Sequence, residues 1–287
     1  MAYILLSLSA LFWAGNFVIG KWVSTSIPPV ALVFWRWVVA FLILLPFTLK
    51  KLIHQKDIIK DNLKLLTVFG FLGVTLFNTL IYKAMHYTTA INALLINSFV
   101  PILIFIISFF LHKLKAKKLQ ILGAIISLIG VAIIITHGDL TSILKLKINP
   151  GDLLVLLAAL SWALYSVLLK NLDNRLNPLV FLETIIFIGL IFLLPIYLAS
   201  NKYFELNYKN IIVILYVGLF ASVLAFICWN RGIREVGANK GGNFVHLMPV
   251  FGTIMSVFLL GEHFYTYHII AIVLVFSGIL LNITTKK

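Results

Sequence analysis

The sequence predicts an all-α membrane protein whose ten transmembrane helices form two inverted five-helix repeats. Three observations carry that expectation. Of the 287 residues, 62% are hydrophobic and 11% are charged, which no ordinary soluble domain shows. Apolar stretches of about 18–23 residues recur about ten times, each long enough to cross a bilayer core. The pattern of the first half then returns in the second, shifted by about 148 residues, the signature of an internal duplication.

In chain order the stretches lie near 3–23, 29–49, 64–84, 89–111, 118–137, 151–170, 178–198, 209–231, 238–260 and 265–284. The first reads as a mature helix, because Met1 to Tyr3 carries no basic flank and Trp13 to Lys21 no small-residue cleavage pattern. The fourth and ninth hold Pro101 and Pro249 inside apolar runs. A proline there removes a backbone hydrogen bond and clashes with the carbonyl one turn back. Lipid cannot satisfy the freed group, so both helices are expected to bend there and to face protein or a wet cavity. Gly241 and Gly242, near the start of the ninth, are expected to let it swing.

The duplication extends past the prolines. Trp13 pairs with Trp162, Lys21 with Lys170 and Pro29 with Pro178; from the third helix onward Ala84 meets Gly232, Ala90 meets Ala238 and Gly130 meets Gly278. The division is a first repeat at 1–137, a connecting loop at 138–150 and a second repeat at 151–287. Five is odd, so the second copy enters from the opposite side. Inverted repeats place a pseudo-two-fold axis in the membrane plane and a substrate site near the midplane between the copies. Gly123 and Gly130, like Ala271 and Gly278, stand one heptad apart and let helix backbones approach closely. Their other use is a seam between two copies of the chain, a homodimer.

The net charge of +14 is read by position. With the N-terminus inside, about sixteen basic residues gather on the inner side and about six on the outer, so both termini are expected to be cytoplasmic. Such clusters also meet anionic lipid headgroups. Short interhelical loops leave no basic face for nucleic acid, so the expected partners are a small-molecule substrate and membrane lipid. Cys228 is the single cysteine and forms no internal disulfide. His54, His86, His112, His137, His263 and His268 are scattered without metal-ligand spacing, and no phosphate-binding glycine loop is present. No cofactor is expected.

Polar residues within the spans are costly in lipid and invite a functional reading. Arg36, between Trp35 and Trp37, either faces a cavity, holds a neighbouring helix end, or snorkels to the outer interface. Glu183 either carries a coupling proton or a substrate amine, or pairs with Arg175 or Lys170 at the cytoplasmic edge. Asn16, Asn78, Tyr82, Asn97, Tyr165 and Asn230 supply neutral hydrogen bonding; each alone also serves helix packing. With Trp13, Phe99, Trp162 and Trp229 they form a set suited to an amphiphilic pocket, an apolar body with a few orienting polar groups. His246, three residues before Pro249, either makes a structural hydrogen bond or touches substrate; its counterpart is Ser98. Nine acidic residues, mostly in loops, offer no cluster for metal or nucleophilic chemistry. An integral membrane enzyme or binding protein acting on lipid is therefore the remote reading.

Several stretches carry a resemblance: FWAGNFVIGK at the start, FWRWVVAFLILLP with Arg36, AINALLINSFVP in the fourth helix, and CWNRGIREVGA with PVFGTIMSVFLLGE between Cys228 and Glu262. They resemble the drug/metabolite transporter superfamily, in its form with two EamA repeats. The resemblance spans nearly the whole chain and implies a secondary transporter of the bacterial inner membrane, often an exporter of amino acids or other small metabolites. It also implies a fixed structural or gating role for Arg36. The first half departs from the pattern, with Leu111-His112-Lys113-Leu114 where the second half ends in Leu-Gly-Glu.

Overall fold

The computed structural model describes residues 1–23, 26–84, 86–145, 147 and 149–285, with the side chains of 17, 18, 20–23, 82, 90, 91 and 260 outside that description. The side chains of Lys21, Tyr82 and Ala90, together with Lys286 and Lys287, thus lie outside the described residues.

The first half forms α1 (Ala2–Val23), α2 (Pro29–His54), α3 (Leu63–Phe69, Gly70–Leu76 and Phe77–Ala84 in series), α4 (Ala90–Asn97, then Val100–His112) and α5 (Lys118–Ile135). The second half repeats it: α6 (Pro150–Leu168), α7 (Pro178–Ala199), α8 (Tyr208–Tyr216, Val217–Leu224 and Ala225–Val236), α9 (Ala238–Gly241, Gly242–His246 and Leu247–Leu260) and α10 (Thr266–Ile283). Among the described residues α2 to α10 are long and apolar enough to cross a membrane, and α1 adds an apolar helix of 22 residues.

Local chemistry explains the ends. Asn149, Asn177 and Asn207 each accept a hydrogen bond from a first-turn amide of α6, α7 and α8, and Pro150 and Pro178 open two of them, where a missing N–H is harmless. Both α4 and α9 stop at a left-handed residue, Lys113 (φ 56°) and Gly261 (φ 69°). Glycine takes that conformation freely, whereas lysine adopts it at about 1–2 kcal/mol. The departure from Leu-Gly-Glu therefore keeps the turn and changes only its cost.

Packing obeys a two-fold exchange of the halves. An added Cβ on Gly218 would lie 2.9 Å from Val39 Cβ, and one on the equivalent Gly70 would lie 3.1 Å from Ile188 Cβ, the equivalent of Val39. Gly232 approaches the Ala2 carbonyl as Gly151 approaches that of Ala84. Gly123 meets the Gly278 carbonyl as Gly130 meets that of Ala271. The last pair of contacts places the glycine stripes inside one protomer, between α5 and α10, where backbone oxygen occupies the space a side chain would need.

Two features add to the sequence expectation. The winding changes just before each proline: Pro101 is the second residue of Val100–His112, after the turn at Ser98 and Phe99, and Pro249 the third of Leu247–Leu260, directly after the 3₁₀ stretch Gly242–His246. A missing N–H favours such a local change of winding. The prolines inside continuous helices are Pro46 and its equivalent Pro195. In addition, Gly70–Leu76 and Val217–Leu224 are π-helical turns at matching places in α3 and α8, a form that sequence pattern does not announce.

Candidate functional site

The π-helical turn of α8 misaligns its carbonyls with the usual donors, and three side chains answer. Arg36 Nε donates to Ser222 Oγ at 2.7 Å and Arg36 Nη2 to the Ala221 carbonyl at 3.1 Å. That carbonyl also accepts from Trp13 Nε1 at 3.1 Å, and Ser222 donates onward to the Val217 carbonyl at 3.0 Å. Arg36 is 5% exposed. It is no interfacial snorkeller but a strut from α2 to α8. In α3 the Asn78 amide plays the corresponding part, donating to the Val74 carbonyl at 2.9 Å.

Below these turns the aromatics converge. Trp13 meets Trp162 edge-on at 5.2 Å between centroids and Trp229 at 5.4 Å, while Trp162 stacks on Tyr165 at 5.0 Å. Phe226 closes the group against Trp162 at 5.4 Å and Trp37 at 5.0 Å. Two of their polar atoms are paired, Tyr165 Oη donating to Asn230 Oδ1 at 2.8 Å and Trp229 Nε1 to Ser166 Oγ at 3.1 Å, while Trp37 Nε1 is buried with no partner among the described residues. Trp229 and Tyr165 are fully buried. In this conformation Trp13, Trp162, Tyr165, Trp229 and Asn230 thus form a plug between the halves. Each edge-on or offset ring pair adds about 0.5–1.5 kcal/mol beyond burial.

The two proline-bearing spans meet at their changes of winding. His246 Nε2 lies 2.8 Å from the Ser98 carbonyl and Nδ1 2.7 Å from Ser127 Oγ. A carbonyl only accepts, so Nε2 carries the proton. Ser98 is the repeat equivalent of His246, so two symmetry mates touch and the pseudo-two-fold axis passes between them. Asn97 Oδ1, next to Ser98, is buried without a hydrogen-bond partner among the described residues. Phe99 at the same turn is 43% exposed, and Asn16 is half-buried on α1; neither joins the plug.

Gly241 and Gly242 have ordinary helical φ of −73° and −57°, so what glycine supplies is room. A Cβ on Gly242 would lie 2.7 Å from Ile104 Cδ1 of α4, and one on Gly241 would strike Ile233 of α8.

Glu183 sits on α7 at 1% exposure, with neither carboxylate oxygen hydrogen-bonded among the described residues. One turn on, Phe187 packs against Phe41 of α2 at 6.0 Å. The alternative pairing with Arg175 fails because Arg175 Nη2 is 2.7 Å from Asp173 Oδ2; hydrogen bonding from Arg175 holds the Asp173 carboxyl well below the usual range. Lys170 is exposed at the helix end. A buried charge without a partner is costly, so Glu183 demands a proton or a cationic group. Among the described residues no three His, Cys, Asp or Glu side chains assemble as a metal site.

Sequence reasoning missed Ser166, Ser222, Phe226 and Ser127. Each matters only through a partner far along the chain, and none breaks the apolar pattern of its helix.

The EamA-like transporter family matches residues 1–136 and again 149–284. Over 281 residues the chain is 31% identical to the uncharacterized transporter YyaM of Bacillus subtilis, covering 97% of this chain and 92% of that protein. YetK of the same organism, also an uncharacterized transporter, is 29% identical with 100% and 88% covered. An uncharacterized transporter of Archaeoglobus fulgidus is 28% identical with 99% and 97% covered. A crystal structure at 16% identity superposes with a TM-score of 0.83, over 98% of this chain and 95% of the other; it shares the fold.

Proposed function

This chain belongs to the EamA-like transporter family, and from that premise we propose that it is a secondary transporter of the bacterial inner membrane that exports small metabolites, such as amino acids or their derivatives, by alternating access. The observation that carries the reading is the meeting of two symmetry-related, proline-bearing helices at His246 and Ser98, in a molecule where aromatic side chains of both halves also close on one another. Inverted repeats with discontinuous helices let one half rock against the other about a midplane site. The plug residues then serve as the cavity wall when the halves part, with Trp13 and Trp162 against the apolar body of the solute and Tyr165 and Asn230 orienting it. Glu183 is the charge that a proton or a substrate amine would neutralise. Both termini are cytoplasmic in this reading, which the basic bias supports. Import or exchange of another small organic solute or drug uses the same geometry with the gradient reversed.

The test is counterflow in proteoliposomes preloaded with a mixed metabolite extract, read by mass spectrometry with and without a pH gradient. Selective exchange of one compound class is expected. Absence of any exchange from folded protein would overturn the reading and bring lipid substrates forward.

A further inference from the structure

At the end of the molecule where α4, α6 and α8 terminate, a crevice of about 400 Å³ opens between the halves. Four cationic side chains line it, Lys115, Lys170, Arg234 and Lys240, and no aspartate or glutamate does. Arg234 Nη2 donates to Asn174 Oδ1 at 2.7 Å and Lys240 Nζ to the Thr285 carbonyl at 2.8 Å, both neutral acceptors. None of the four has a carboxylate within ion-pair distance among the described residues. His112 also lines the crevice, and its Nε2 is buried with no partner among the described residues.

Helix ends do not account for this charge. The C-termini of α4, α6, α8 and α10, the last met by Lys240, each contribute roughly −0.5 of a charge and the N-termini of α5 and α9 each roughly +0.5, so about three positive charges remain uncompensated. The volume suits a small organic anion or one phosphate headgroup. We propose that this crevice binds an anionic group, phosphate or carboxylate, between Lys115 of the first half and Lys170, Arg234 and Lys240 of the second. Ser166, the acceptor of Trp229 Nε1, lies on its wall, so an occupant would sit next to the plug. The proposal goes beyond transport, because occupancy is measured with no solute crossing the membrane.

The purified chain would be placed in nanodiscs of phosphatidylcholine alone and titrated with glycerol 3-phosphate and with succinate, following tryptophan fluorescence and thermal unfolding. A parallel set of discs would carry phosphatidylglycerol. Saturable stabilisation is expected, with affinity weakened about tenfold by Lys170→Gln or Arg234→Gln, each of which removes one charge-assisted hydrogen-bond donor. Lys83→Gln, on the exposed outer end of α3, leaves it unchanged. Saturation by the soluble anions in phosphatidylcholine assigns the site to a free anion. Stabilisation only in phosphatidylglycerol, lost in the same variants, assigns it to a lipid headgroup. No stabilisation in either set, or equal stabilisation in all three variants, overturns the proposal.

Discussion

Replacing Arg36 with methionine tests the strut between α2 and α8. The change keeps an unbranched apolar stem and removes the two bonds that reach α8, Nε to Ser222 Oγ at 2.7 Å and Nη2 to the Ala221 carbonyl at 3.1 Å. Hydrogen bonds from a charged donor are worth about 1.5–3 kcal/mol each, so these two together account for about 3–6 kcal/mol. Two effects reduce it. The Ala221 carbonyl keeps Trp13 Nε1, and removing a buried cation returns part of its desolvation cost. A net loss of about 2–4 kcal/mol is expected, with Arg36→Lys between methionine and the parent because one ammonium cannot reproduce the fork. Unfolding of the purified protein in mild detergent, by heat or by added sodium dodecyl sulfate, reads it directly. A methionine variant within about 0.5 kcal/mol of the parent, the usual range of an uninvolved surface change, would refute the strut.

Gly123→Ala places a methyl against the Gly278 carbonyl and 3.1 Å from the Asn282 nitrogen; overpacking of this kind costs about 1–3 kcal/mol. Gly252→Ala, with nothing within 4 Å, is its neutral control in the same melt, and equal melting of the two would remove the seam. Tyr165→Phe strands the buried Asn230 Oδ1, at about 1–3 kcal/mol. Both partners lie in the second half, on α6 and α8, so the loss is read as destabilisation in the same melt; a variant within about 0.5 kcal/mol of the parent would remove the bond from the account. Glu183→Gln forfeits no hydrogen bond, so stability is retained. Counterflow at equal pH continues, whereas accumulation driven by a proton gradient is lost; accumulation that persists would take Glu183 out of coupling.

The spans, the duplication and the inverted arrangement were legible because they are written in apolar length and in offset residue pairs such as Trp13 and Trp162. The contact of His246 with Ser98 was latent there too, since the offset names them as equivalents, and equivalents on an axis touch. The π-helical turns were not legible. Gly70 and Gly218 mark their positions, but a glycine in an apolar helix equally signals close packing, which both also provide. Arg36 was visible as an anomaly while its partner was hidden, because Ala221 is an ordinary residue whose carbonyl becomes available only through the local winding. Pro101 and Pro249 marked the helices whose winding changes, while the 3₁₀ form of Gly242–His246 was not written in the apolar pattern. Glu183 stood out by its rarity; only the fold shows that Arg175 is already engaged by Asp173.

The relative movement of the halves is tested most directly by pulsed electron paramagnetic resonance distances in proteoliposomes. Spin labels at Lys115→Cys and Asn174→Cys, one from each half, both lining the basic crevice and both exposed, would be introduced with Cys228→Ser. The account predicts two distance populations whose ratio shifts when the counterflow substrate is added. A single distribution, unchanged by a solute the same preparation exchanges, would contradict it.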